Sequence, residues 1–90
     1  MHILSLHEQN HFKLVECFMT IRDLSDMTVK SSMWKLYMNC KRKWTELDNE
    51  FITCRKLRKI TAAYTQIEAE YNDCITTFEQ WHVIAVLSHR

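Results

Sequence analysis

Residues 29 to 57 read VKSSMWKLYMNCKRKWTELDNEFITCRKL, and this run decides the fold. Its apolar side chains, Val29, Met33, Leu36, Cys40, Trp44, Leu47, Phe51, Cys54 and Leu57, recur at steps of three or four residues almost throughout. That spacing brings them onto one face of a helix. Neither Gly nor Pro interrupts the run, so nothing in it forces a kink. A second stripe continues the rhythm at Tyr64, Ile67, Tyr71, Cys74, Phe78 and Trp81.

Working outward from this run, local signals divide the chain into three helices. Ser5 followed by Glu8 has the spacing of a capping box, and Leu14, Val15, Phe18, Ile21 and Leu24 then recur at helical intervals. A first helix is expected over about 6–24. It should stop at Leu24, Ser25 and Asp26, because Ser and Asp compete for the backbone inside helices and cap the next one well. Asp26 or Thr28 would cap a second helix over about 28–59. The next break is expected at Lys59, Ile60 and Thr61, where a basic last turn suits the negative end of the helix dipole and Thr61 can cap a third helix over about 62–87. The alternative is one unbroken rod of about 60 residues, about 90 Å long.

The fold class expected is therefore all-α: an antiparallel, coiled-coil-like helical hairpin with a short N-terminal helix packed on one end, all in a single domain. The first helix, about 27 Å long at about 1.5 Å per residue, should lie beside residues 27–44 and reach no further. A three-helix head would then carry a projecting two-helix arm whose tip lies near Ile60.

Composition agrees with an all-helical chain. The 90 residues contain no Gly and no Pro, which removes the usual helix stop and the Asn-Gly hairpin turn. An apolar fraction of 47% with 26% charged residues is that of a globular protein rather than a disordered one. No run of 18 apolar residues exists, and Met1 to Leu14 carries His2, His7, Glu8, His11 and Lys13 where a signal peptide needs an apolar core. A soluble, intracellular, cytoplasmic protein is the expectation. Cys17, Cys40, Cys54 and Cys74 are accordingly read as free thiols, since folding the hairpin about Lys59 to Thr61 places Cys40 and Cys54 opposite residues near 80 and 66, neither of them Cys.

Charge is strongly segregated. Lys30 to Lys59 holds nine Lys or Arg against three acids, net +6, whereas Ile60 to Ser88 holds four acids and no Lys or Arg, net −4. Opposite charges along neighbouring helices favour pairing direction more than stability. With the turn near Thr61, Glu68 should lie close to Arg55 and Glu79 close to Lys43.

Few residues suggest chemistry. His7 and His11 stand four apart, a spacing at which two imidazoles can share a metal, but no C-x-x-C pair completes a site and exposed histidines are the plainer reading. Without Gly there is no phosphate-cradling loop or nucleophile elbow. A thin bundle should also lack a ligand pocket of several hundred cubic ångströms. No catalytic residues, metal, cofactor or small-molecule substrate are expected, and no membrane partner. The basic clusters Lys41, Arg42, Lys43 and Arg55, Lys56, Arg58, Lys59, beside Trp44, suggest a nucleic-acid-binding regulator using helix 41–59, countered by an overall charge of only +1. Preferred is a non-enzymatic protein–protein interaction module of the adaptor, regulator, inhibitor or chaperone kind, partnered by another protein or by itself as a homodimer. Trp34, Tyr37, Met38, Trp81 and Ile84 would form its apolar surface, with Lys56, Arg58 and Lys59 at the tip.

Overall fold

A computed structural model of the chain describes residues 3–88. Three helices follow one another: α1 (Ile3–Arg22), α2 (Met27–Leu57) and α3 (Ala62–Ser88). All regular structure among the described residues is helical, with α3 antiparallel to α2 in a hairpin and α1 laid along both. The bundle measures 49 × 18 × 17 Å.

Each helix buries one stripe. On α1 it is His7, Asn10, Leu14, Cys17 and Ile21, with Ile3 and Leu24 continuing the same three-and-four spacing at its ends. On α2 it is Met33, Tyr37, Cys40, Leu47, Phe51 and Cys54, and on α3 Tyr64, Tyr71, Ile75 and Phe78. The three stripes meet in one core cluster. Burial of each large apolar side chain contributes about 1.5–3 kcal/mol, enough to override weak local signals. Ser5 shows this: with Ile3 drawn onto the core, α1 starts before Ser5, which becomes an exposed interior residue rather than a cap.

The other caps follow local chemistry. Asp26 caps α2, its Oδ1 accepting from the Val29 N–H at 3.0 Å. Thr61 caps α3, its Oγ1 accepting from the Tyr64 N–H at 3.1 Å. Between α2 and α3 the chain reverses at Arg58, which sits in the left-handed region at φ 57°, ψ 35°. Its N–H donates to the Arg55 carbonyl and the Lys59 N–H donates to the Cys54 carbonyl. These two bonds make a Schellman turn, built on arginine where glycine is usual. The long unbroken rod is thereby excluded.

Two expectations about packing are corrected. First, no bare two-helix arm projects. Phe18 lies against Trp34 and Tyr37, so the end of α1 is level with α2 about a turn beyond Met27 rather than with Met27 itself. The link 23–26 and the first turn of α2 extend past α1, which slides α1 towards the tip. His7 consequently stacks on Trp44 and Phe51, and Ile3 and Leu4 line a groove with Cys54 and Arg58. Secondly, the hairpin register differs. Lys43 pairs with Glu70 rather than Glu79, and Glu68 binds Asn10 rather than Arg55. The residues from Lys59 to Thr61 are not helical, and they return the chain far enough for Thr61 to lie beside Cys54.

Because Arg58 carries a Cβ in the left-handed region, Arg58→Gly is expected to stabilise the fold by about 0.5–1 kcal/mol, read as a higher urea midpoint at unchanged slope.

Candidate interaction surfaces and the buried polar layer

A polar layer crosses the core where α1 meets the hairpin. His7 is buried, stacked between Trp44 (centroids 4.4 Å apart) and Phe51 (4.0 Å). Its Nε2 lies 2.8 Å from Asp48 Oδ1, and because a carboxylate only accepts, Nε2 carries the proton. Nδ1, 3.3 Å away, then accepts from the Tyr64 hydroxyl. One turn on, buried Asn10 donates through Nδ2 to Glu68 Oε2 at 2.7 Å, while its main-chain carbonyl accepts from the Tyr71 hydroxyl. No buried side-chain nitrogen or oxygen among the described residues lacks a partner.

The reading of His7 as an exposed histidine is thus corrected; His11, tilted against the outer part of Trp44, is the exposed one. Both ring nitrogens of His7 are engaged, which gives it a structural part. Among the described residues no three of His, Cys, Asp or Glu gather to hold a metal ion. His7 and Asn10 stood outside the expected apolar stripe because they are polar. The available signal was their place on the stripe that runs through Ile3, Leu14, Cys17 and Ile21.

The apolar surface residues fall into separate groups. Tyr37 is only 9% exposed, packed between Phe18 and Trp34, and belongs to the core. Trp34 is half-buried with Phe18 edge-on to it, whereas Met38, one helical turn further, is exposed. Alongside them α1 exposes Phe12, Val15 and Met19 at i, i+3 and i+7, a group the sequence did not single out. Trp81 and Ile84 are exposed on α3, together with Val83 and Leu87. Cys74 and Thr77, which lie on the same side of α3 as Trp81 and Ile84 by helical spacing, line a hollow with Leu36 and Asn39. Trp81 and Ile84 therefore flank the α2–α3 seam, not the α1–α2 edge that carries Met38.

The basic residues divide in a similar way. Lys43 lies 2.8 Å from Glu70 and 2.9 Å from Glu46. Hydrogen bonding to the two carboxylates holds its ammonium above the ordinary lysine range, and the Lys43 bond holds the Glu70 carboxyl below its own. Arg55, Lys56, Arg58 and Lys59 are all exposed at the tip, and among the described residues none pairs with an acid. Arg55, Arg58 and Lys59 line a groove of about 520 Å³ whose apolar lining is Ile3, Leu4, Phe51, Cys54 and Ile60. The expectation that a thin bundle has no hollow of this size is corrected here, because α1 reaches the hairpin turn and forms the groove's second wall.

The four thiols are free, with Cys17, Cys40 and Cys54 buried and Cys74 half-buried. Burial, with Glu79 and Glu16 nearby, pushes Cys17 up to about 12, and burial pushes Cys40 up to about 12 beside Cys17 and Cys74. Compared with known proteins, the chain matches no family model, no curated protein and no solved structure. No helix among the described residues is long and apolar enough to cross a membrane.

His7→Ala opens a cavity between two aromatic rings and removes the partner of Asp48 and one partner of the Tyr64 hydroxyl, so a loss of about 2–4 kcal/mol is expected from urea unfolding. The raised thiols give an alkaline limit. A group that holds its proton more tightly when folded stabilises the fold fully below its unfolded pKa and loses that contribution as pH rises through the folded one. Stability should therefore fall between about pH 9 and about pH 12, and Cys40→Ala should flatten that fall in pH-dependent urea midpoints.

Proposed function

We propose that the chain is a protein–protein interaction module, of the adaptor, regulator, inhibitor or chaperone kind, rather than an enzyme. The observation that carries this reading is the strip on α1: Phe12, 62% exposed, with Val15 and Met19 following at helical spacing. On the α1–α2 edge, Phe18 meets Trp34 and Met38 stands 51% exposed. Exposed apolar side chains grouped at helical spacing favour a contact site, and aromatic and methionine side chains are the residue types enriched there. Helix-in-groove recognition needs such i, i+3, i+7 anchors.

A second copy of the chain is the simplest partner, since a self-complementary apolar face closes as a two-fold dimer. Trp81 and Ile84 offer a second apolar face on the α2–α3 side. The nucleic-acid reading of helix 41–59 has less support. Lys43 is already engaged by Glu46 and Glu70, so the cations do not form a continuous track for a phosphate backbone.

The test compares the wild-type chain with a Phe12→Ser, Met19→Ser, Met38→Ser variant. Light scattering across a concentration range and capture of host proteins on the immobilised chain are measured together. Association should weaken at least about tenfold in the variant while helix content and melting temperature hold. Unchanged mass and an unchanged set of captured proteins would refute the reading.

A further inference from the structure

We infer that the groove at the hairpin tip receives an acidic segment of a protein partner, one that carries a bulky aliphatic side chain between its carboxylates. This rests on the interaction-module reading and names the chemistry of one partner site. Three observations meet there. The groove of about 520 Å³ has an apolar floor, with Phe51 and Cys54 buried and Ile3 half-buried. Its rim carries Arg55, Arg58 and Lys59, with Lys56 adjoining, and none of these cations has an acidic partner among the described residues. The nearest acid along α2, Glu50, accepts the Thr61 hydroxyl at 2.7 Å and so is held in the turn.

The hairpin register produces this imbalance. α3 carries every acid of the last third of the described chain, yet its first, Glu68, lies beside Asn10, beyond reach of the tip. Four positive charges within five residues thus have no acidic partner among the described residues, and the guanidinium of Arg55 lies over the Phe51 ring, its Cζ 5.9 Å from the centroid, so this cation already stands above the apolar floor. Cations set around a recessed apolar floor attract carboxylates at the rim while the floor accepts a side chain. A nucleic acid would use the cations and leave the floor empty. A flat bilayer would meet Leu57 and Ile60, which are exposed, but would not reach buried Phe51.

The probe is a blocked peptide of about twelve residues alternating Glu and Leu pairs, three helical turns long, titrated by fluorescence anisotropy. Wild-type chain should bind it, and affinity should drop as salt rises from about 0.05 M to about 0.3 M. Arg55→Glu with Arg58→Glu should weaken binding at least about tenfold. Lys41→Glu with Arg42→Glu makes the same charge change in mid-helix and should leave most of the affinity. A peptide with Ser for Leu should also bind at least about tenfold more weakly. Circular dichroism confirms that each variant folds, and Ile60→Ser provides a milder tip variant that leaves the Schellman turn intact.

No binding by the wild type, or equal loss in the mid-helix pair, overturns the proposal. So does tighter binding of duplex DNA or of phosphatidylserine vesicles than of the peptide at equal salt. The Phe12, Met19 and Met38 variant should bind the peptide normally, so failure of the apolar-face reading and failure of the tip site register in different proteins.

Discussion

Thr61 is the residue on which the arrangement of the hairpin turns. Its hydroxyl donates to Glu50 and accepts from the N–H of Tyr64, and its own N–H donates to the Cys54 sulfur. One side chain thus starts α3, satisfies an acid of α2 and fixes how far along α2 the return helix begins. Everything downstream inherits that offset. Tyr71 comes under Trp44, Glu70 meets Lys43, and Glu68 meets Asn10. A hairpin that began its return one turn later would pair the same charges quite differently, which is what the helical pattern alone suggested.

The polar layer supplies a second constraint, between α1 and the hairpin. A purely apolar α1 stripe could slide by a heptad over the α2–α3 surface at modest cost, because burial does not depend on direction. His7 and Asn10 remove that freedom. Away from Asp48, Tyr64 and Glu68, their side chains would be buried without these partners, at about 1–3 kcal/mol per unsatisfied group. Asp48 is partly exposed and accepts the histidine proton at the edge of the core, so the layer does not enclose an uncompensated charge. The aromatic walls formed by Trp44 and Phe51 hold the imidazole plane while the hydrogen bonds hold its rotation.

Much of this was legible in the sequence, and the division between legible and illegible is physical. Periodicity reports which face a helix buries, and three helices with breaks near Leu24 and Lys59 follow from it and from the capping chemistry of Asp26 and Thr61. Relative displacement along helix axes leaves no such trace. It depends on how many residues of each link are extended and on single contacts such as Phe18 against Trp34, which explains both the misplaced Lys43 partner and the expected arm. His7 on the buried stripe was read as exposed, and Asn10 was not read at all, because periodicity is followed through apolar residues. Tyr37 was assigned to the surface for the opposite reason: the apolar set around it was too broad for one stripe, and no pattern says which member turns inward. Of the residues expected to form an apolar surface, Met38, Trp81 and Ile84 are exposed, while exposed Phe12 and Met19 escaped notice because the segment was read through Leu14, Val15 and Phe18.

The same geometry that closes the core also explains what remains on the surface. A bundle only 18 Å across gives each helix a single buried stripe, so a chain in which 47% of residues are apolar must leave many of them outside. Evenly scattered, they would carry no meaning. They are grouped instead: a strip along α1 with the Met38 edge, a face at Trp81 and Ile84, and the aliphatic side chains at the tip. Charge is grouped by the same register, matched in mid-helix at Lys43 and unmatched from Arg55 to Lys59. Arg55 and Lys56 suit the negative end of the α2 dipole and Arg55 lies over the Phe51 ring, while self-repulsion among the four cations of the cluster works against the turn that holds them together. On the interaction reading proposed above, this excess of charge beside an apolar floor would serve recognition of an acidic partner.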